Sequence, residues 1–472
     1  MTTAHFTALM PLIITGLTAI IIVVAIAIRR NHRLIFLLSL AGLGAALFSI
    51  FPVLSSVPQR VTLLFTVDRF GLFYTGLIIA STFVVCLLSY DYMNLHLENL
   101  EEYYLLLLLA TVGAIVITVA THFVSFFIGL EILSVSLYTL IAYQRMDMRH
   151  IEGGFKYLIL SMVASSFLLF GIALIYMRTG AMDFSEVAHV LQGSKDLAAT
   201  AGTVMVVVAI GFKLALVPFH MWAPDVFEGS SSPVAAFLAT CSKGALFAIM
   251  LRYFSSIKMG DNTPLAMILT LIAVASMFAG NLLALFEDNL KRLLAYSSIA
   301  HFGYLLVAFL STGSLKGLAV AYYLVAYFVS ILGAFGVVTV LSGRARDADT
   351  IEDYYGLSSE HPWLAGILTA SLLSLAGIPL SAGFMGKFYV MSAGIQANLW
   401  FLVIILVVNS ALGLFYYLRI IAAMYVLPPG RRLSRAPALM GTVVLTALFL
   451  LILLLGVYPA SVTGFMETVA LR

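Results

Sequence analysis

The sequence predicts an all-α polytopic membrane protein with about 14 transmembrane helices. Three observations carry that expectation. Hydrophobic residues make up 62% of the 472 residues and charged ones only 10%, with a mean hydropathy of +1.07, whereas soluble proteins carry roughly 25% charged residues. The apolar residues gather into runs long enough to cross a bilayer, about 20 residues at 1.5 Å each. Two of those runs, the seventh and the twelfth, contain an internal proline, Pro218 and Pro379, which points to broken helices.

In order, the runs are 7–28, 34–55, 69–90, 103–120, 122–142, 153–178, 200–219, 233–257, 264–286, 293–312, 316–342, 362–394, 399–426 and 438–458. Spans four and five abut at Thr121-His122, and the twelfth is long enough to be interrupted. The polar stretches near 343–361 and 179–199 are too short for a soluble domain. Arg29, Arg30 and Arg33 follow the first apolar run, whereas a secretory signal puts its charges ahead of it. The first span is therefore expected to be retained, with its N-terminus outside. Alternation from there puts Arg29, Arg30, Arg33, Arg145, Arg149, Lys291, Arg292, Arg344, Arg346, Arg431, Arg432 and Arg435 on the cytoplasmic side. The opposite side holds Arg60, Arg69, Arg178, Lys195, Arg252, Lys258, Lys316 and Arg472. Twelve against eight follows the positive-inside rule, and both termini then face outwards, the periplasmic side of an inner membrane.

A proline inside a helix removes an N–H bond and clashes with the carbonyl four residues earlier. Pro218 would free the carbonyl of Leu214, next to Lys213, and Pro379 that of Leu375, with Lys387 eight residues on. In lipid such carbonyls need partners, and broken helices in corresponding halves of a transporter point to its ion path. The two marked spans are five apart. That spacing suggests two inverted five-helix repeats, spans 4–8 and 9–13, and a division into 1–100 (three helices), 101–258 (first unit), 259–427 (second unit) and 428–472 (last helix). Two simple kinks are the alternative.

Glu131, Lys213, Lys243 and Lys387 all lie inside apolar runs. A charge at bilayer depth costs on the order of 3 kcal/mol, and such groups usually line ion or proton pathways. A static ion pair would account for Glu131 and Lys213, but Lys243 and Lys387 have no carboxylate of their own at that depth. His301, about nine residues into span ten, could relay protons or simply pack. Glu152 and Lys156, spaced i, i+4 at a span entrance, fit either a helix salt bridge or proton uptake. Arg252 and Arg419 near span ends are explained by snorkelling, and Glu101 and Glu102 as helix N-terminal acids.

Several chemistries are excluded. Basic residues form no patch, so nucleic acid has no support as a partner. The two cysteines, Cys86 and Cys241, are too few for an iron–sulfur cluster. No G-x-G-x-x-G or Walker fingerprint is present. No cofactor or metal is expected in this chain.

The run from Gly211-Phe212-Lys213 through Pro218-Phe219-His220-Met221-Trp222-Ala223-Pro224-Asp225 to Gly229 resembles the signature of the antiporter-like subunits of respiratory complex I. So do Ser231-Ser232-Pro233-Val234 leading to Lys243, and Gly383-Phe384-Met385-Gly386-Lys387-Phe388. The resemblance covers nearly the whole chain. It implies fourteen helices with two inverted five-helix units, and proton translocation with no cofactor in the subunit. NADH, FMN, iron–sulfur clusters and quinone would belong to other subunits. By position it makes Glu131 the fifth-helix glutamate, Lys213 its broken-helix partner and Lys243 the central lysine. His301 becomes the tenth-helix relay and Lys387 the twelfth-helix terminus. A lysine at that last place, in a chain ending soon after span fourteen, is similar to the N type rather than the M or L types. Implied partners are an adjacent M-type subunit, small membrane subunits towards the quinone site, and the lipid bilayer.

The resulting expectation is a relay along the membrane midplane from Lys213 to Lys243, then through His301 and waters to Lys387. An ammonium that exchanges protons near neutral pH must be destabilised by roughly 4 kcal/mol relative to water. Desolvation supplies this and an adjacent carboxylate opposes it, so separation of Glu131 from Lys213 would release the proton. A multi-subunit sodium/proton antiporter, a membrane-bound hydrogenase module and a purely structural subunit share enough of these features to stand as alternatives.

Overall fold

A computed structural model describes residues 3–96, 100–144, 148–191, 196–256, 264–344, 346–426, 438–460 and 462–464. Arg145, Lys195, Lys258, Arg431, Arg432, Arg435 and Arg472, which enter the charge count across the membrane, lie outside the described residues, as do the expected unit boundaries at 258/259 and 427/428.

In chain order the main helices are α1 (Met10–Ile28), α2 (His32–Leu54), α3 (Arg69–Leu95), α4 (Glu101–Val119), α5 (Phe123–Ile141), α6 (Met148–Thr179), α7 (Leu197–Leu214), α8 (Trp222–Glu228), α9 (Ser232–Ser256), α10 (Pro264–Ala284), α11 (Leu290–Leu310), α12 (Leu315–Leu341), α13 (Pro362–Ala376), α14 (Ala382–Gln396), α15 (Trp400–Tyr425) and α16 (Leu439–Val457). Thirteen of them are long and apolar enough to cross a membrane. The expected twelfth span is the pair of half-helices α13 and α14. Every expected run is thus helical; the seventh breaks off at Leu214 and the twelfth is broken within the run. The one sheet among the described residues is a two-stranded turn, Gln59–Arg60 with Thr66–Val67.

Helix ends sort into two sets, as an alternating path requires. At one end Thr121 N–H donates to Leu64 O, Phe184 N–H to Thr121 O, and Arg60 pairs with Asp183 at 3.0 Å. At the other, Arg30 pairs with Glu102, His32 bonds Asn94 at 2.9 Å, and Ile351 N–H reaches Asp288 O. Glu101 and Glu102 open α4 as expected. α9 is buried around its whole circumference, and a helix apolar all round belongs in the interior. α1 and α2 lie at the periphery and turn Ile20, Ile21, Phe48 and Phe51 outwards. Small residues let neighbours approach: a Cβ on Gly280 would meet Ala300 N at 2.6 Å, and one on Gly303 would meet Met277 N at 3.0 Å, which fixes α10 against α11.

The two breaks have the same construction. α7 ends at Leu214, Ala215 turns left-handed at φ 59°, and N–H bonds run from Ala215 to Phe212 O and from Leu216 to Gly211 O. α13 ends at Ala376, Gly377 turns at φ 85°, and bonds run from Gly377 to Ser374 O and from Ile378 to Leu373 O. Both are Schellman turns, so Pro218 and Pro379 follow closed helix ends rather than sitting inside a helix, which corrects the expectation from the sequence. The carbonyls in need of partners are the last four of each helix, and the turn itself satisfies two of them.

Arg252 does not snorkel. Only 6% exposed, it makes a two-pronged pair with Asp68, both bonds 2.8 Å, and lies 4.9 Å from the Phe70 ring. A guanidinium this deep must be paired, and an aspartate in the loop ahead of α3 supplies the partner. Arg419, half exposed, meets Asp288 at 3.4 Å. Removing one member of a buried pair costs about 3–5 kcal/mol. Arg252→Met is therefore expected to lower the thermal unfolding midpoint in detergent sharply, and Arg252→Met/Asp68→Asn less so.

Candidate functional site

Glu131 stands eight residues into α5 and is half-buried. Ser165 on α6 donates to it at 2.6 Å. Lys213, the penultimate residue of α7, is 2% exposed and donates to Ser134 at 2.6 Å and to Ser161. Tyr138 donates to the same Ser161 at 2.6 Å. Glu131 and Lys213 are therefore not a direct ion pair. Hydroxyls hold each charge separately, Ser134 of α5 and Ser161 of α6 the ammonium and Ser165 of α6 the carboxylate.

Lys243 begins the last segment of α9, directly after a π-helical turn, Leu238–Ser242. Such turns shift the phase of the residues beyond them and are frequent at functional sites. The ammonium is fully buried. It donates to Ser298 on α11 at 2.6 Å and lies 5.2 Å from the Phe302 ring and 5.6 Å from that of Phe227. One turn on, His301 bonds the Tyr323 hydroxyl through Nδ1 at 2.7 Å and that of Tyr417 through Nε2 at 3.3 Å. Tyr417 also bonds Ser297. Ser298, His301 and Tyr304 recur every three residues, and Ser297 lies four before His301, so they share one face of the helix.

That face leads to Lys387 on α14, whose ammonium is 5.1 Å from the Tyr304 ring. Lys387 donates to the carbonyl of Ala376 at 2.7 Å and to Ser410 at 2.8 Å. The carbonyl belongs to the last residue of α13, so the charge sits on the negative end of a half-helix and satisfies a carbonyl the break leaves open. Between His301 and the break lies a cavity of about 10 Å³ lined by Tyr323, Tyr327, Ser330 and Ser374, the size that admits one water.

The structure thus brings Lys243, His301 and Lys387 together along α11, with Glu131 and Lys213 in a separate hydroxyl cluster. Among the described residues no hydrogen bond joins the two groups. Tyr157 and Trp222 lie on one side and Phe227 on the other. Glu152 and Lys156 form the expected i, i+4 bridge at 2.7 Å, and Lys156 also binds Asp225 at 2.8 Å, which pairs in turn with Arg292 at 2.7 Å. Sequence reasoning missed the serines and tyrosines that solvate the charges. Ser134, three residues after Glu131, and Ser297, Ser298 and Tyr304, three or four residues from His301, were available as a signal. It also missed the buried pair of Lys291 and Asp347, 2.9 Å apart, because both residues look like loop charges.

Fold and site together define an antiporter-type membrane subunit carrying a buried line of titratable groups. The chain belongs to the NADH:quinone oxidoreductase/Mrp antiporter transmembrane family, which residues 120–413 match. It is 45% identical over 481 residues to NADH-quinone oxidoreductase subunit N of Ectopseudomonas mendocina (strain ymp), an alignment spanning 100% of this chain and 97% of that one. A chain of respiratory complex I from Thermus thermophilus with bound aureothin superposes with a TM-score of 0.83 at 28% identity, over 97% of this chain and 100% of that one. At 22% identity the fold is shared with a chain of the membrane-bound sulfane sulfur reductase, an archaeal respiratory complex (TM-score 0.88, 98% and 96% covered). It is shared likewise with a chain of the Mrp complex from Dietzia sp. DQ12-45-1b (0.87, 99% and 97%). The family expected from the motifs is the family found.

A Cβ on Gly377 would meet Lys387 Cδ at 2.7 Å, at a backbone φ of 85°. Gly377→Ala is therefore expected to push the ammonium off the Ala376 carbonyl and to reduce proton transport by the assembled protein, measured in sealed vesicles, while Gly366→Ala, with open space at its Cβ, leaves transport unchanged.

Proposed function

We propose that this chain is the N-type, antiporter-like subunit of a proton-translocating NADH:quinone oxidoreductase, moving protons through buried Glu, Lys and His side chains. The full-length likeness to subunit N supports the assembly. The observation that carries the mechanism is the single face of α11 that joins Lys243 to Lys387 through Ser298, His301 and Tyr304. The chain itself performs no redox step. NADH, FMN, iron–sulfur clusters and quinone are assigned to other subunits, and the partners are the other membrane subunits of the complex, an M-type neighbour and the small subunits towards the quinone site.

Each ammonium in the line is held by neutral acceptors, which solvate it without fixing its proton as a carboxylate would. Lys213 loses its proton when Glu131 moves away and regains it on return. Lys243 takes the proton and passes it to the Ser298–His301 segment, and Lys387 receives it at the end of α13. A water in the cavity beside His301 completes the last link. Motion reaching Glu131 and Lys213 from neighbouring subunits supplies the drive. Glu152 and Lys156, tied to α8 through Asp225, suit proton uptake beside Lys213. The matching breaks support two inverted units at 101–258 and 259–427, flanked by 1–100 and 428–472. The segregated loops support an inner-membrane topology with both termini on the periplasmic side.

Removal of a group that must carry the proton is expected to cut transfer by about tenfold or more. Glu131→Gln and Lys243→Ala should each do so in NADH-driven pumping by sealed membrane vesicles, with the complex still assembled on a native gel. Wild-type pumping by either would remove that residue from the path.

A further inference from the structure

At the end of the bundle bearing Arg292 and Asp225, one carboxylate is shared by four segments. Asp347, in the loop after α12, accepts from Lys291 on α11 at 2.9 Å, from Ser232 on α9 at 2.7 Å and from Tyr92 on α3 at 2.7 Å. Lys291 donates its other bond to Ser230 O at 2.9 Å, in the turn that leads into α9. Both charges are buried, at 2% and 7% side-chain exposure. Burial alone would raise the Asp347 carboxyl, but the Lys291 charge and the hydrogen bonds from Ser232 and Tyr92 override it and hold the group well below the usual carboxylate range. A carboxylate so held stays ionised at any pH at which the membrane works, so it is a poor proton carrier and a durable anchor.

What it anchors are the two helices of the central relay contact. α9 starts at Ser232 and carries Lys243. α11 starts at Leu290 and carries Ser298, seven residues beyond Lys291 and so on the same face. The first turn of α9 has no side-chain cap and no acid of its own, and Asp347 brings the negative charge its N-terminus favours. α9 and α11 are thus joined twice, at their ends through Asp347 and at depth by the 2.6 Å bond from Lys243 to Ser298. Phe227, whose ring lies against the Lys243 ammonium, sits in the last turn of α8, and its carbonyl accepts from the Ser230 hydroxyl at 3.1 Å.

We infer that Asp347 and Lys291 are positioning residues that set the register of α9 against α11 and so the contact through which Lys243 passes its proton to the Ser298–His301 segment. The inference rests on the relay reading above. Tyr92 extends the anchor to α3, which gives the N-terminal three helices a part in holding the second half of the relay.

The test uses the intact complex in sealed vesicles, reading assembly on a native gel, protons pumped per NADH oxidised, and the pH profile of pumping. Displacement by an ångström is enough to cost transfer heavily, so Asp347→Asn is expected to lower the ratio at least about twofold and to shift the pH profile. The exchange Asp347→Lys/Lys291→Asp should restore part of the ratio. Ser232→Ala, which leaves the ion pair intact and only unties α9, should lower it too, and decides the matter if Asp347→Asn does not assemble. A wild-type ratio and pH profile in Ser232→Ala, or in assembled Asp347→Asn, overturns the inference while Lys243→Ala abolishes pumping. Normal pumping by Lys243→Ala overturns the relay reading and this inference with it.

Discussion

Inside a bilayer the protein must itself supply every partner that water would have given to a charge or an open backbone group. Three lysines at depth impose that requirement, and the structure meets it with hydroxyls and one backbone carbonyl rather than with carboxylates. Lys213 rests on Ser134 and Ser161, Lys243 on Ser298, and Lys387 on Ser410 and the end of α13. The choice of acceptor matters. A buried carboxylate would hold the ammonium as a fixed pair, whereas a hydroxyl can both accept and donate and leaves the proton transferable.

The same requirement shapes the backbone. Two helices end in Schellman turns within the apolar interior, and each places a lysine beside the break. Lys213 sits in the last turn before one, and Lys387 reaches back across the other to cap it. The π-helical turn ahead of Lys243 and the buried Asp347 anchor address a third need, that of holding α9 against α11 so that donor and acceptor meet. Aromatic rings of Phe227, Phe302 and Tyr304 face the ammonium groups from the remaining sides, a contact that favours the cation without offering it a proton acceptor.

Much of this was legible in the sequence. A run of twenty apolar residues has one fate in a membrane, so the fourteen spans were readable, and a charge inside such a run advertises itself. Glu131, Lys213, Lys243 and Lys387 were visible for that reason, and the family motifs around Lys213 and Lys387 suggested the order proposed for the relay. Proline marked the breaks but not their geometry, because the left-handed residue that closes the helix, Ala215 in one case, carries no local signature. The partners were hidden. Ser298 and Ser161 look like ordinary polar residues in a membrane helix until the facing helix is placed. Asp347, Lys291 and Arg252 were misread or passed over because a charge near a span end is ordinarily solvated, and only the tertiary fold reveals that these are enclosed.

The account stands on protons crossing between these side chains through protein that is wet where it needs to be. An experimental map of the assembled complex, at a resolution that shows ordered water, tests this most directly. The account predicts density for a water in the cavity bounded by His301, Tyr323, Tyr327, Ser330 and Ser374, and bridging water between the Lys213 and Lys243 clusters. A continuous dry barrier of Tyr157, Trp222 and Phe227 between those lysines, in every state of the complex, would contradict it.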